Sequence, residues 1–254
     1  PQLVDPWKFN RLDGAFSTHQ HQDHCDLYTV KAALQTTDCT FYGPPRTVEK
    51  LKSFQVPDER IVTTRVGESV KVPGAEVEFL MNYDETVVRT GSGTEKAPYE
   101  ECATSFLFKT SGGNIMFLGD TWYHDGYQAV GQNYDIDVAI FDMGRNASGA
   151  TDKMTPYDCA RLGETLQAKV LIPDHYDNWA NTASDPELLV NQFERLVKEN
   201  TPNIKTVILR PGARFVYPDD QDIRRYRYPN QSEGYDATRS ITYGEQARKY
   251  GKKK

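Results

Sequence analysis

Cysteine, histidine, long apolar runs and an excess of positive charge are all scarce in this sequence, and each scarcity argues against a class of protein. The 254 residues hold four cysteines, Cys25, Cys39, Cys102 and Cys159, scattered without CxxC spacing. That pattern disfavours a disulfide framework and a thiolate zinc ribbon, and it is expected of reduced thiols in a cytoplasmic protein. No apolar stretch approaches the ~20 residues that span a bilayer, and the first residues carry no signal-peptide pattern, so no membrane partner is expected. Lysine and arginine number 30 against 36 aspartates and glutamates, a net charge of -6. With no Lys/Arg stripe either, nucleic acid is not an expected partner. The hydrophobic fraction is 38% and the mean hydropathy -0.68, a polar balance. The chain is nevertheless long enough to bury a sizeable core.

Only five histidines occur, and three of them fall within six positions, in Thr18-His19-Gln20-His21-Gln22-Asp23-His24. Imidazole nitrogen and carboxylate oxygen are ligands of Zn, Mn or Fe. Leu12 to Ser17 alternates loosely and reads as a buried strand, while Leu27, Val30, Lys31 and Leu34 are spaced as in a helix. The cluster therefore sits on a strand-to-helix loop, where α/β proteins carry their chemistry. His19 and His21, two apart in extended chain, project the same way, and Asp23 and His24 turn with the chain toward a second point.

The rest of the chain reads as an alternation of strands and helices. Strands are expected at Thr40–Gly43 and Arg60–Thr64. Hairpins are expected at 69–72 with 75–79, at 105–109 with 114–118 around Gly112-Gly113, and at 206–210 with 214–217 around Pro211-Gly212. Buried strands are expected at 137–141 and 169–173. Helices are expected at 46–54, at 156–166 with Thr155 as N-cap, and at 186–198. Residues 90–101 read as a loop, and His124 lies in a Tyr-, Gly-rich segment as a surface or substrate-side residue. Residues 1–217 form one domain in this reading. Residues 218–254 are a polar, Tyr/Arg-rich extension of it and a candidate oligomer contact.

Two further strand ends carry metal-type donors, Asp120 after Gly119 and His175 within Asp174-His175-Tyr176-Asp177. Strand C-terminal ends converge at one edge of a sheet. Two metals ~3.5–4 Å apart need a bridging group, and a carboxylate such as Asp120 suits that role. His124 is left out of the set.

These residues resemble the metallo-β-lactamase superfamily, whose HxHxDH signature stands here as His19-x-His21-x-Asp23-His24, with later motifs matched by Asp120 and His175. More narrowly, the chain resembles the L-ascorbate-6-phosphate lactonase family. The matching segments are Asp5-Pro6-Trp7, Leu12-Asp13, Gly119-Asp120-Thr121 with Tyr123, Thr151 to Thr155, Ala168 to Pro173, and His175 followed by Asp177 and Trp179. The likeness runs over about residues 5 to 217. It implies an α/β, αββα sandwich and an oligomeric cytoplasmic bacterial hydrolase. Superfamily members have two or more strands ahead of the HxHxDH motif, and this chain has none, so an incomplete sandwich is expected.

What the resemblance implies for the site is a pair of divalent metals, Mn favoured and Zn as the alternative. His19, His21 and His175 would help hold one, Asp23 and His24 the other, and Asp120 would bridge them. A hydroxide held on the metals would open a lactone, such as that of a phosphorylated sugar, with Asp23 or Asp84 passing the proton to the leaving alkoxide. Arg145, Lys153 and Asp177 are the candidate contacts to a small anionic substrate. The sequence departs from the superfamily at Met81-Asn82-Tyr83-Asp84, where a histidine usually stands. The lactonases also lack it, and Asp84 matches an aspartate of theirs. It departs from the lactonases at Ala147-Ser148-Gly149, where they carry Pro-Arg-Gly; here Ser148 loses that arginine and Arg145 is gained. Two rival readings keep the metals: a phosphodiesterase of the same superfamily, and a non-catalytic metal-binding assembly protein.

Overall fold

Alternation of side chains along the strands builds this molecule in layers. In the computed structural model, residues 4–88, 96–144, 153–177, 186–209 and 213–223 are described. Arg145, Ser148, Trp179 and most of the 218–254 extension lie outside them. Strands β1 (Ala15–Phe16), β2 (Phe41–Gly43) and β3 (Ile61–Thr63) form a parallel sheet in that order. Helices α1 (Leu27–Thr36) and α2 (Pro45–Ser53) make the crossovers between them. Asp26 caps α1 by accepting the Tyr28 and Thr29 N–H groups, and Pro45 opens α2 at a position where its missing N–H costs nothing.

Among the described residues, the larger sheet has seven strands. Hairpin β4 (Ser69–Val72) and β5 (Ala75–Met81) leads, after the short helix α3 (Tyr99–Cys102), to hairpin β6 (Thr104–Thr110) and β7 (Gly113–Phe117). Helix α4 (Tyr127–Asn133), β8 (Val138–Asp142), α5 (Pro156–Leu166), β9 (Val170–Asp174), α6 (Pro186–Asn200) and β10 (Lys205–Thr206) follow. The order is β10-β9-β8-β7-β6-β5-β4, with β7 to β10 parallel and β4 to β7 antiparallel.

Successive residues of β6 and its neighbours point to opposite faces. Leu107, Met116, Phe141 and Leu171 pack with Leu162 and Phe193 of α5 and α6. Phe106, Val77 and Phe79 pack instead on Tyr42 and Phe16 of the small sheet, where the Phe16 and Tyr42 rings stack at 4.4 Å. On the outer side of the small sheet, Val30, Ala33 and Leu51 of α1 and α2 cover Phe41. The layers are thus helix, sheet, sheet, helix, as the resemblance implies.

Three expectations change. The last hairpin is not formed among the described residues. β10 pairs parallel with β9, while Val216 and Asp220 satisfy each other locally, Val216 N–H to Asp220 Oδ2 at 2.7 Å and Asp220 N–H to Val216 O at 2.8 Å. That turn takes the backbone groups a second strand would need, and Phe215 and Tyr217 pack instead on Val138, Val170 and Val207. The strand expected over 12–17 shortens to Ala15–Phe16. Helix α3 falls largely in the segment expected to be loop, and α4 is a helix on which the sequence reading is silent. In α4, Gly131 reads as a breaker, yet a Cβ there would stand 2.1 Å from Thr165 O of α5, so the glycine permits close packing of the two helices.

Candidate metal centre

Strand direction brings the site together. Because β6 is antiparallel to both of its neighbours, β5, β7, β8 and β9 all run the same way. Asp84, Asp120, Asp142, and the pair Asp174 and His175 therefore leave the sheet at one edge, as the strand-end argument expects. The histidine loop following β1 is fastened to the same edge. Thr104 N–H donates to Thr18 O at 2.9 Å, and His19 forms an isolated bridge with Ala103. The seam is tight at Gly119, which has φ +68°. A Cβ on it would stand 2.5–2.8 Å from Thr18 side-chain atoms, so both the left-handed backbone and the close approach require glycine.

Thr18 orients two of the rings. Its hydroxyl lies 3.1 Å from His19 Nδ1 and 3.4 Å from His24 Nδ1, which leaves the Nε2 of each as the remaining ring nitrogen. The rings of His19 and His24 are 4.1 Å apart and those of His24 and His175 5.2 Å apart. His175 itself has φ +60°, an uncommon backbone for a non-glycine residue and one that concentrates at functional sites. Asp120 Oδ1 lies 3.2 Å from His24 Nε2 and 3.0 Å from His175 Nδ1. Its other oxygen, Oδ2, accepts from Lys153 Nζ at 2.6 Å.

Among the described residues, His19 Nε2, His24 Nε2, His175 Nδ1, Asp84 Oδ2, Asp120 Oδ1 and Asp174 Oδ1 are buried without a hydrogen-bond partner. Orphaned buried polar atoms are costly, and six of them on imidazole and carboxylate groups fit a divalent cation. The donors fall into two sets with atoms within 4.8 Å of one another: His19, His21 and Asp120, and Asp23, His24 and His175. The sequence expectation put His175 with His19 and His21 and Asp120 between the two metals; this grouping puts His175 with Asp23 and His24 and Asp120 with His19 and His21, although Asp120 Oδ1 also lies beside His24 and His175. The cause is the edge geometry: β9 delivers His175 to the side of Asp120 that His24 faces.

Burial, assisted by His24, pushes the His19 imidazole well below its ordinary value and keeps it neutral, as a ligand must be. Burial works against the Asp120 charge, but His175, His24 and Lys153 outweigh it and hold the carboxyl well below the usual range. Asp84 and Asp142 are displaced upward by burial.

The remaining expected residues are placed unevenly. Asp84 is fully buried; its Oδ1 accepts from Thr86 N–H and Oγ1 at 2.8 and 2.6 Å, and its Oδ2 lies 3.9 Å from His19 Nε2. Asp23 is exposed at the rim, and Asp177 is half-buried two residues past His175. Lys153 is 6% exposed and bound to Asp120, so it is part of the centre and not a free surface cation for a substrate phosphate. Arg145 lies outside the described residues.

Two residues were missed. Asn82 Nδ2 donates to Leu118 O at 2.7 Å and Asp120 O at 3.1 Å, while its Oδ1 accepts the Asp84 N–H. It ties the end of β5 to the end of β7. Asp142 accepts from Thr121 N–H at 3.0 Å and Met154 N–H at 3.3 Å, bracketing Asp120 and Lys153 from behind. Its sequence signal was the polar end of an apolar strand.

A family model described as a beta-lactamase superfamily domain matches residues 1–176. Among curated proteins, "Probable L-ascorbate-6-phosphate lactonase UlaG" of Escherichia coli O139:H28 is 35% identical over 237 residues, covering 90% of this chain and 67% of its own length. Igni18, a metallo hydrolase of the archaeon Ignicoccus hospitalis, superposes with a TM-score of 0.59 at 19% identity, over 78% of this chain and 76% of that one. An isothiocyanate hydrolase from Delia radicum gut bacteria gives 0.62 at 16% identity, over 84% and 80%. At such identities these two structures speak for the fold alone.

Proposed function

This chain belongs to the beta-lactamase superfamily, and on that premise we propose that it is a metal-dependent hydrolase that opens the lactone ring of a small anionic sugar derivative. The observation that carries the lactone reading is the 35% identity over 90% of the chain to a named L-ascorbate-6-phosphate lactonase. The metal reading is supported separately by the six orphaned donor atoms.

His19, His21 and Asp120 would hold one divalent cation, Mn favoured over Zn, and Asp23, His24 and His175 a second. When bound, such a cation lowers the pKa of water to around 7 and acts as a Lewis acid on a carbonyl oxygen. The chain's own residues do the rest. Thr18 fixes the ring orientation of His19 and His24. Asn82 and Asp142 hold the backbone on either side of Asp120. Asp84, through its unpartnered Oδ2, and Asp23 at the rim are the carboxylates that would carry the proton to the leaving alkoxide. Asp177 is the described residue assigned to the substrate side. All four cysteines are free and buried, which suits the cytoplasm, and no helix of the described residues is long and apolar enough to cross a membrane. A homo-oligomer is part of the same proposal.

The test is hydrolysis by the Mn-loaded chain of L-ascorbate 6-phosphate beside bis-p-nitrophenyl phosphate. Lactone turnover that chelation abolishes is the expected result. Turnover of the phosphodiester alone would replace this reading with a phosphodiesterase, and turnover of neither with Mn bound would favour a non-catalytic role.

A further inference from the structure

Lys153 is an unusual residue to find inside a set of cation ligands. It is 6% exposed, and burying an ammonium is costly unless carboxylates compensate it. The fold makes room for it: a Cβ on Gly144 would stand 3.3 Å from Lys153 Cγ, and Gly144 N–H donates to Met154 O at 2.9 Å. Its Nζ reaches Asp120 Oδ2 at 2.6 Å, leaving Oδ1 toward His24 and His175. Behind it lies the buried carboxylate of Asp142, which also brackets Met154. Asp174 Oδ1, itself without a hydrogen-bond partner, completes an acidic cluster on this side of the site.

We infer that Lys153 is a positioning residue and the resident counter-ion of the centre: it holds Asp120 by Oδ2, presents Oδ1 to the histidines, and supplies positive charge that a bound metal otherwise supplies. The inference rests on the metal-centre reading above. It has two consequences of opposite sign. Without a metal, the ammonium offsets repulsion among Asp120, Asp142 and Asp174 and keeps the donors assembled. With a metal, the same ammonium is a like charge beside a ligand carboxylate and lowers affinity for the cation.

The experiment is Mn(II) binding by competition with a fluorescent chelator, together with thermal unfolding of the chelated and Mn-loaded full chain, for wild type, Lys153→Met and Lys153→Arg. Lys153→Met is expected to bind Mn at least about tenfold more tightly, and its chelated form to lose more melting temperature than its loaded form. Lys153→Arg keeps the charge and is expected to stay near wild type in both. Equal losses in the two forms, with affinity unchanged or weakened, would overturn the inference and leave Lys153 a packing residue. A wild type that binds no Mn would instead overturn the metal reading itself. If Lys153→Met yields no folded protein, Lys153→Gln, which keeps a donor without the charge, is judged by the same two readouts. Loss of both neutral variants even with Mn present, while Lys153→Arg folds, would overturn the exchange of charge.

Discussion

At the scale of single residues, the Asp120–Lys153 pair alters what a familiar substitution should do. Removing the carboxylate in Asp120→Ala deletes a candidate metal ligand and also strands a buried ammonium, and breaking one side of a buried ion pair costs about 3–5 kcal/mol. The variant is therefore expected to lose hydrolysis and also to unfold well below wild type in a urea titration. The sequence alone predicts an inactive but largely intact protein. Asp120→Asn, which keeps shape and an acceptor for Lys153 but not the compensating charge, is expected to be as inactive and to recover only part of that stability. Gly119→Ala tests the seam. A left-handed alanine costs about 1–2 kcal/mol, and overlap with Thr18 adds about 1–3 kcal/mol. The expected result is a loss of roughly 3 kcal/mol in equilibrium unfolding, with weakened Mn binding because Thr18 orients His19 and His24. A wild-type melting curve for Gly119→Ala would show that the two sheet ends are not held as described.

At the scale of elements, Asp137, immediately before β8, clasps three segments. Its Oδ1 accepts from Lys169 Nζ at 2.7 Å and Tyr217 Oη at 3.0 Å, and its Oδ2 from Asn114 N–H at 2.7 Å. Burial would raise this carboxyl, but those bonds outweigh it and hold it below the usual range. A folded pKa below the unfolded value of ~3.9 means the contribution is full above that value and fades as pH falls through the folded one. Asp137→Asn should therefore lose roughly 1 kcal/mol at neutral pH, discounted for the exposure of Lys169. The gap to wild type should close toward pH 3 in urea midpoints measured at both. A gap that stays constant with pH would mean the carboxylate's charge is not what matters.

Elements were legible in the sequence where their signal was local. The hairpins β4–β5 and β6–β7 carry their own turns, and α5 carries a capping box in which Thr155 and Asp158 bond reciprocally. Elements defined by distant partners were not. Gly131 in α4 disfavours a helix until α5 is seen beside it, and Arg214 to Tyr217 looks like a strand until Val216 is seen to close a turn with Asp220. The site divides the same way. His19, His21, Asp23 and His24 are neighbours in sequence, and their chemistry can be read there. The pairing of Lys153 with Asp120 and the clamp made by Asn82 depend on contacts 33 and 38 residues apart, which no local pattern encodes.

At the scale of the whole molecule, the candidate donors come from two layers that already pack through Phe16, Tyr42, Phe79 and Phe106, so a cation bound there would add a further tie between the small sheet and the large one. Ligand binding stabilises a fold by about 2.7 kcal/mol when free ligand is a hundredfold above its Kd. For a chain of this size that is a rise of roughly 5–10 °C in Tm. Addition of Mn to chelated protein should produce that rise, and an unchanged Tm at saturating Mn would argue against a cation bridging the layers. The same arrangement bears on synthesis. The histidine loop leaves the ribosome before β9 does, and His175 follows His24 by about 150 residues, roughly 8–30 s later at ordinary elongation rates. During that interval the nascent chain displays an imidazole cluster that lacks its histidine from the end of β9. Loading of the cation is thus tied to completion of β9, and a chain that stalls before that strand would carry an open chelating loop and no centre.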